Sequence, residues 1–232
     1  MNSTKKVARV AGLLYLFMAI TGAFGVLYIP STLIVPGSAA ATANNILGSE
    51  MLFRVGIVSE LVAAVVFIVV VMVLYRLFSA VNRTHASLMV ILALVSVAIA
   101  FLIVLNEIAA LALFRGADLL SVLDKPQRDA MAMLFLDLHR YGFVINGIFW
   151  GLWLFPFGVL VMRSALVPRI LGILLIIACF SYLAGSLTDL LLPRYASVVG
   201  RIATIPEGIG ELSIMFWLLI AGAKDQPLGD SA

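Results

Sequence analysis

The residues that could do chemistry in this sequence are ionisable side chains that interrupt long apolar stretches. Charge in such a stretch is costly, so it is usually either paired or functional. Carboxyls and a histidine in this setting could bind a cation or a small solute, relay protons or act as a general acid. The candidates are Glu60, Glu107, Asp137, His139, Arg140, Asp189 and Glu211, with Arg54 and Asn106 in supporting positions.

The acids in this set outnumber the fixed cations, which are only Arg54 and Arg140. A low-dielectric site does not tolerate an excess of ionised carboxyls. Either some of the carboxyls hold a proton, or water, a bound cation or a cationic ligand compensates the charge. Each of these options predicts a polar cavity that opens towards one face of the protein.

The amino-acid composition excludes several classes of protein. The chain has 232 residues, of which 63% are hydrophobic and 12% charged, and its mean hydropathy is +1.16. Soluble domains carry roughly 45–50% apolar and about 25% charged residues, so a soluble enzyme is excluded. The single cysteine, Cys179, excludes a disulfide scaffold, and without a cluster of basic residues we expect no nucleic-acid partner.

Long apolar stretches predict an all-α, polytopic membrane protein. A membrane helix needs about 20 mostly apolar residues, and the stretches lack the sustained alternation that membrane strands show. We therefore predict a bundle of six transmembrane helices, with the lipid bilayer as its surroundings. The predicted spans are residues 7–29, 53–78, 87–114, 131–162, 168–192 and 205–222.

Turn and cap residues predict the connections. Pro36-Gly37-Ser38 indicates a turn with a serine N-cap, followed by a short extracytoplasmic helix between the first two spans. Thr204 and Glu207 have the spacing of a capping box at the start of the sixth span. Gly147 and Gly151 have GxxxG spacing, which favours close helix packing within the bundle over a dimer face. We predict one domain over residues 1–224 and a flexible cytoplasmic tail over residues 225–232.

Counting along the helices predicts that the polar candidates share one depth. At about 1.5 Å per residue, Glu60 lies ~10 Å below the outer end of its span. The other acids, His139 and Arg140 come at similar depths, whereas the inner halves of the same helices carry no acid. We call this predicted arrangement the polar layer and place it in the outer half of the bilayer.

The distribution of Lys and Arg predicts the orientation. The two faces carry nearly equal numbers, but Arg76, Arg83, Arg163 and Arg169 crowd very short loops, where the positive-inside rule acts most strongly. We predict that both termini are cytoplasmic. The first apolar run is longer than a signal-peptide core and lacks a clear cleavage site, so we expect the first helix to be retained.

Several candidates also have purely structural interpretations. Asp137 and Arg140 could pair with each other at i,i+3 spacing, and Arg54 could reach the headgroups. Asp189 could lie in the membrane interface. His139 alone would be a packing residue, but carboxyls nearby would make it a proton relay or a metal ligand. Since the sequence contains no metal-binding motif, it predicts neither a metal nor a cofactor.

Several short motifs carry a resemblance to a known family. They are RVAGLLY at 9–15, VPGSAAATA at 35–43, FRVG at 53–56, VNR at 81–83, WGLWLFP at 150–156, LVPRILG at 166–172, and Glu211-Leu212 with Trp217-Leu218-Leu219 downstream. In this combination the chain resembles DUF4386, a bacterial family of unknown function. The resemblance implies a six-helix membrane fold in the bacterial inner membrane. It implies no activity, substrate or catalytic residue.

Three functions are compatible with the polar layer. The leading hypothesis is a non-enzymatic carrier or sensor that binds a small solute, a cation or a proton. The first alternative is an intramembrane enzyme that acts on a lipid or isoprenoid, with a neutral glutamic acid as general acid. The second is a structural or partner-binding membrane subunit, in which the polar layer is a network of ion pairs.

Overall fold

The computed structural model describes residues 3–116 and 122–224. These residues are helical apart from short connections. Within these ranges there is no strand, and six helices are long and apolar enough to cross a membrane. The predicted all-α class with six long apolar helices is confirmed. Six such helices indicate a multi-pass membrane protein. The predicted tail lies outside the described residues.

Over the described residues, seven α-helices follow one another, with three short helical turns attached to them. Helix α1, Ser3–Ala23, continues without a break through a π-helical turn at Phe24–Tyr28 and an α-helical turn at Ile29–Leu33. A 3₁₀ turn at Pro193–Tyr195 precedes α7. The other helices are α2 (Ala39–Gly48), α3 (Glu50–Phe78), α4 (Arg83–Arg115), α5 (Lys125–Arg163), α6 (Arg169–Leu191) and α7 (Ala196–Ile220).

The helices pack into two compact units. Unit 1 consists of the described residues within 1–17, 66–97 and 144–232, and unit 2 of those within 18–65 and 98–143. Helices α1, α3, α4 and α5 contribute residues to both units. The single domain proposed for residues 1–224 stays a prediction.

The short helix between the first two long helices is confirmed as α2. Gly37 has a φ of 77°, which favours glycine, and the backbone N–H of Ala41 donates to the hydroxyl of Ser38 at 3.3 Å. The backbone N–H of Val35 donates to the hydroxyl of Thr42 at 2.9 Å, and Thr42 is fully buried. These bonds fix the turn and the start of α2.

The predicted start of the last helix is wrong. Helix α7 begins at Ala196, and Thr204 lies inside it, where its hydroxyl donates to the carbonyl of Gly200 at 2.8 Å. A capping box exists instead before α5, where Asp124 and Gln127 each accept a bond from the other's backbone N–H. Both helices extend beyond their apolar stretches because a helix makes its backbone hydrogen bonds internally, whatever the polarity of its side chains.

Apolar side chains from five helical segments form the core of unit 2. They come from the last turn after α1, from α2, and from the parts of α3, α4 and α5 that belong to this unit. Gly56 allows a close approach within this core, since a Cβ there would lie 2.7 Å from the Ile29 side chain. The most buried members are Ile29, Ala43, Ile46, Phe53, Ala110 and Ala132.

Glycines bring α5 and α6 together in unit 1. A Cβ on Gly147 would lie 2.6 Å from the hydroxyl of Ser186, and one on Gly151 would lie 2.8 Å from the carbonyl of Cys179. A Cβ on Gly158 would lie 2.7 Å from the carbonyl of Gly172. The packing role predicted for Gly147 and Gly151 is therefore confirmed, in line with the use of small residues at membrane helix interfaces.

Filling this contact should destabilise the protein. We expect Gly151→Ala to lower the free energy of unfolding by about 1–3 kcal/mol, because the added methyl group has no space. Gly208→Ala is the control, since no atom of the described residues lies within 4 Å of its Cβ position. Thermal unfolding in detergent measures both; equal midpoints for the two variants would contradict the packing.

Candidate functional site

Two glutamates and one histidine meet in unit 2. Glu60 comes from α3, Glu107 from α4 and His139 from α5, and their exposed fractions are 6%, 3% and 6%. The Nε2 atom of His139 lies 3.1 Å from Oε2 of Glu60 and 3.7 Å from Oε2 of Glu107. We call these three residues the carboxylate–histidine cluster.

Helical periodicity explains why all three side chains point inwards. Residues three, four or seven positions apart share one face of a helix, and each cluster member shares its face with apolar side chains buried in the core of unit 2. The buried neighbours on the same face are Phe53 and Ile57 on α3, Ile103, Val104, Ala110 and Leu111 on α4, and Ala132 and Leu136 on α5.

The π-helical turn after α1 lies directly against Glu60. Gly25 lies in this turn, and a Cβ there would collide with Cγ of Glu60. Ser59 directly precedes Glu60 on α3, and its hydroxyl donates to the carbonyl of Thr21 at 2.7 Å. The ring of Phe143 meets the ring of His139 edge-on, with centroids 4.8 Å apart. π-Helical turns occur frequently at functional sites, and here the turn brings backbone against a buried acid.

The cluster carries more negative than positive charge. No Lys or Arg among the described residues lies within ion-pair distance of Glu60 or Glu107. Oxygen Oε1 of Glu60 and Oε2 of Glu107 are buried, and no described residue gives either one a hydrogen bond. Buried polar atoms are nearly always hydrogen-bonded, so two such atoms in one cluster require an explanation.

The remaining predicted residues of unit 2 lie outside the cluster. Arg54 is exposed and pairs with Glu50 at 2.8 Å. Asp137 and Arg140 are exposed; their side chains are 3.9 Å apart, and the guanidinium of Arg140 lies 4.0 Å from the centre of the Tyr141 ring. Asn106 donates to the carbonyl of Ile103 on its own helix. The basic side chains predicted to neutralise the acids thus have other partners.

Glu211 has a separate environment in unit 1. It accepts hydrogen bonds from the hydroxyls of Tyr15 and Tyr182, the latter at 2.6 Å. Asp189 lies half-buried on α6 of the same unit, and half-buried Glu207 precedes Glu211 by one helical turn. The predicted residues are therefore divided between the two units, and a common depth for all of them stays a prediction.

The sequence analysis missed several polar residues that the structure buries. Tyr15 and Tyr182 were not recognised as partners of an acid, because a tyrosine in an apolar helix usually indicates packing. Asp129, which is 4% exposed, pairs with Lys125 at 2.6 Å. Asn146 is fully buried on α5, and no described residue gives its amide a hydrogen bond. An asparagine within an apolar stretch was a signal that could have been used.

Comparison with known proteins places the chain in one family. The model of a family described as a domain of unknown function, DUF4386, matches residues 10–222, which is nearly the whole chain. No curated protein and no solved structure matches.

Removing one tyrosine hydroxyl should destabilise unit 1. We expect Tyr182→Phe to cost about 1–3 kcal/mol of unfolding free energy, because the carboxylate of Glu211 loses a donor. The cost should shrink clearly in a Glu211→Ala background, since the two residues share the interaction. Tyr195→Phe changes an exposed tyrosine and serves as the control. Equal costs of Tyr182→Phe in both backgrounds, measured by unfolding in detergent, would refute the coupling.

Proposed function

We propose that this chain, which belongs to the DUF4386 family, is a bacterial inner-membrane protein that binds a small cation at the carboxylate–histidine cluster, as a carrier or a sensor. One observation carries the proposal. Two buried carboxyls share a histidine, and no basic side chain of the described residues compensates them. In this proposal, a bound cation supplies the positive charge that compensates the two carboxyls.

The size of the electrostatic cost supports this argument. With both carboxyls ionised, the cluster carries a charge of −2, or −1 if the histidine is protonated. An uncompensated buried charge costs several kcal/mol even after relaxation, and leaving one partner of a buried pair alone costs about 3–5 kcal/mol. A marginally stable protein tolerates such an electrostatic cost when the buried charge serves function. Binding of a cation would remove this cost, because the cation neutralises the carboxylates.

The orientation of the chain is part of the proposal. The connection before α4 and the connection before α6 are short and flanked by Arg76, Arg83, Arg163 and Arg169. By the positive-inside rule we place these connections and both termini in the cytoplasm. Helix α2 then lies on the periplasmic side, and the cluster belongs to the half of the protein that faces the periplasm.

Cysteine labelling tests the orientation. In a Cys179→Ala background, we expect Ala40→Cys on α2 to react with a membrane-impermeant maleimide in intact cells, whereas Ala80→Cys after α3 should react only after lysis. Both positions are exposed, so accessibility within the protein is matched. The opposite labelling pattern would show that the orientation is reversed.

Cation binding should stabilise the protein through the cluster. A ligand at 100 times its Kd raises the unfolding free energy by about 2.7 kcal/mol. We expect a shift of this size in nanodiscs for at least one cation in a panel of Na⁺, K⁺, ammonium, Mg²⁺, Ca²⁺, Mn²⁺ and Zn²⁺. Glu60→Gln and Glu107→Gln should each abolish the shift, because they remove a charge with little change of shape.

The control variants change acids outside the cluster. Asp137→Asn lies on the same helix as His139 but is exposed, and Glu50→Gln removes the partner of Arg54; both should keep the cation-dependent shift. If Glu60→Gln and Glu107→Gln change the basal stability but respond to every cation as the wild type does, the cluster is structural and the proposal fails.

A further inference from the structure

The geometry of the cluster points to a more specific ligand. We infer that Glu60, Glu107 and His139 form a binding site for a divalent first-row transition-metal ion such as Zn²⁺ or Mn²⁺. This inference rests on the proposed function, because it names the cation that the cluster binds. It is argued from the spacing of the ligand atoms, from the oxygens that lack donors and from the mixture of ligand types.

The spacing of the side-chain atoms suits one metal ion. One potential ligand atom from each of the three residues lies within 4.8 Å of the other two. Ligands bound tetrahedrally to an ion at about 2.0–2.2 Å are about 3.4 Å apart. The distances from Nε2 of His139 to the two carboxylate oxygens, 3.1 and 3.7 Å, lie on either side of this value. A small adjustment of rotamers would bring all three to an ion.

The oxygens without donors favour a bound metal ion. A carboxyl that held a proton would be expected to donate it to a neighbouring acceptor, and an ionised one to accept from a donor. Oε1 of Glu60 and Oε2 of Glu107 have no hydrogen-bond partner among the described residues. A single divalent ion near Nε2 would bind both carboxylates and neutralise their combined charge with the histidine neutral.

The ligand types select the class of metal. Imidazole nitrogen suits Zn²⁺ and Fe²⁺, and the two carboxylates also suit Mn²⁺, whereas Ca²⁺ and Mg²⁺ prefer all-oxygen sites and soft Cu⁺ prefers sulfur. Three protein ligands leave a fourth position for water or a further ligand. The three ligands come from three different helices, so no local sequence motif identifies the site.

The surroundings of the ligands are closely packed. The ring of Phe143 packs edge-on against the ring of His139, and the backbone at Gly25 touches the side chain of Glu60. Because a Cβ at Gly25 would displace Glu60, this glycine is expected to position the ligand rather than to bind the metal. Gly25→Ala should therefore weaken metal binding although all three ligand residues are kept unchanged in the chain.

Titration calorimetry of the purified, chelator-treated protein in nanodiscs tests the inference. We expect one Zn²⁺ per chain to bind, with Mn²⁺ competing and with Mg²⁺ and Ca²⁺ failing to compete at equal concentration. Loss of outer-shell partners alone typically weakens metal sites about 10–100-fold, so Glu107→Gln and His139→Gln should each weaken Zn²⁺ binding at least 100-fold. Asp137→Asn should bind as the wild type does.

A spectroscopic measurement on the wild type keeps the test decisive if a variant fails to fold. Co²⁺ in a four-coordinate site with nitrogen and oxygen ligands gives intense visible absorption bands, which Zn²⁺ should displace at one equivalent. Absence of these bands, or Zn²⁺ binding that is unchanged in folded Glu107→Gln and His139→Gln, would overturn the inference.

The outcome also separates the inference from the proposed function. If a monovalent cation or protons alone stabilise the protein through Glu60 and Glu107, the metal inference is wrong and the proposed function stands. If the wild type and the Glu→Gln variants respond identically to every cation and to pH, both are wrong.

Discussion

The main energetic constraint on unit 2 is the burial of two carboxyls beside one histidine. Glu60 and Glu107 lie among side chains that are otherwise apolar, and the nearby arginines pair elsewhere, Arg54 with Glu50 and Arg140 with Asp137. A protein selected only for stability would replace such a cluster with apolar residues of similar volume, which is often neutral or stabilising. Under the proposed function, a bound cation supplies the positive charge that completes the cluster.

The backbone around the cluster is arranged to hold these acids in place. A π-helical turn interrupts the first long helix where Gly25 meets Glu60, and Gly56 lets Ile29 approach α3 one turn before the acid. Both glycines provide close backbone approach rather than a special dihedral angle. In unit 1, by contrast, the carboxylate of Glu211 accepts hydrogen bonds from two tyrosine hydroxyls. The two buried acidic sites therefore differ in how their carboxylate oxygens are satisfied.

The sequence predicted the helices and several site residues, but not their grouping. Apolar length alone identified the six long helices, and charge within apolar stretches singled out Glu60, Glu107 and His139. The rotation of each helix about its axis decides which candidates meet. Asp137 and His139 are two residues apart, so they point roughly 200° apart on a helix with 3.6 residues per turn, and only His139 is buried.

Tyr15 and Tyr182 could not be paired with Glu211, because tyrosine in an apolar helix has many possible roles. The start of α7 was missed because polar residues in its first turns resemble a loop.

The most direct measurement is an anomalous difference map from crystals of the protein grown with Zn²⁺, collected at the zinc absorption edge. The account predicts one strong peak within unit 2, at about 2.0–2.2 Å from Nε2 of His139 and from one oxygen each of Glu60 and Glu107. A map without a peak there, in which water or side-chain donors reach both Oε1 of Glu60 and Oε2 of Glu107, would contradict the claim that a bound cation completes the cluster.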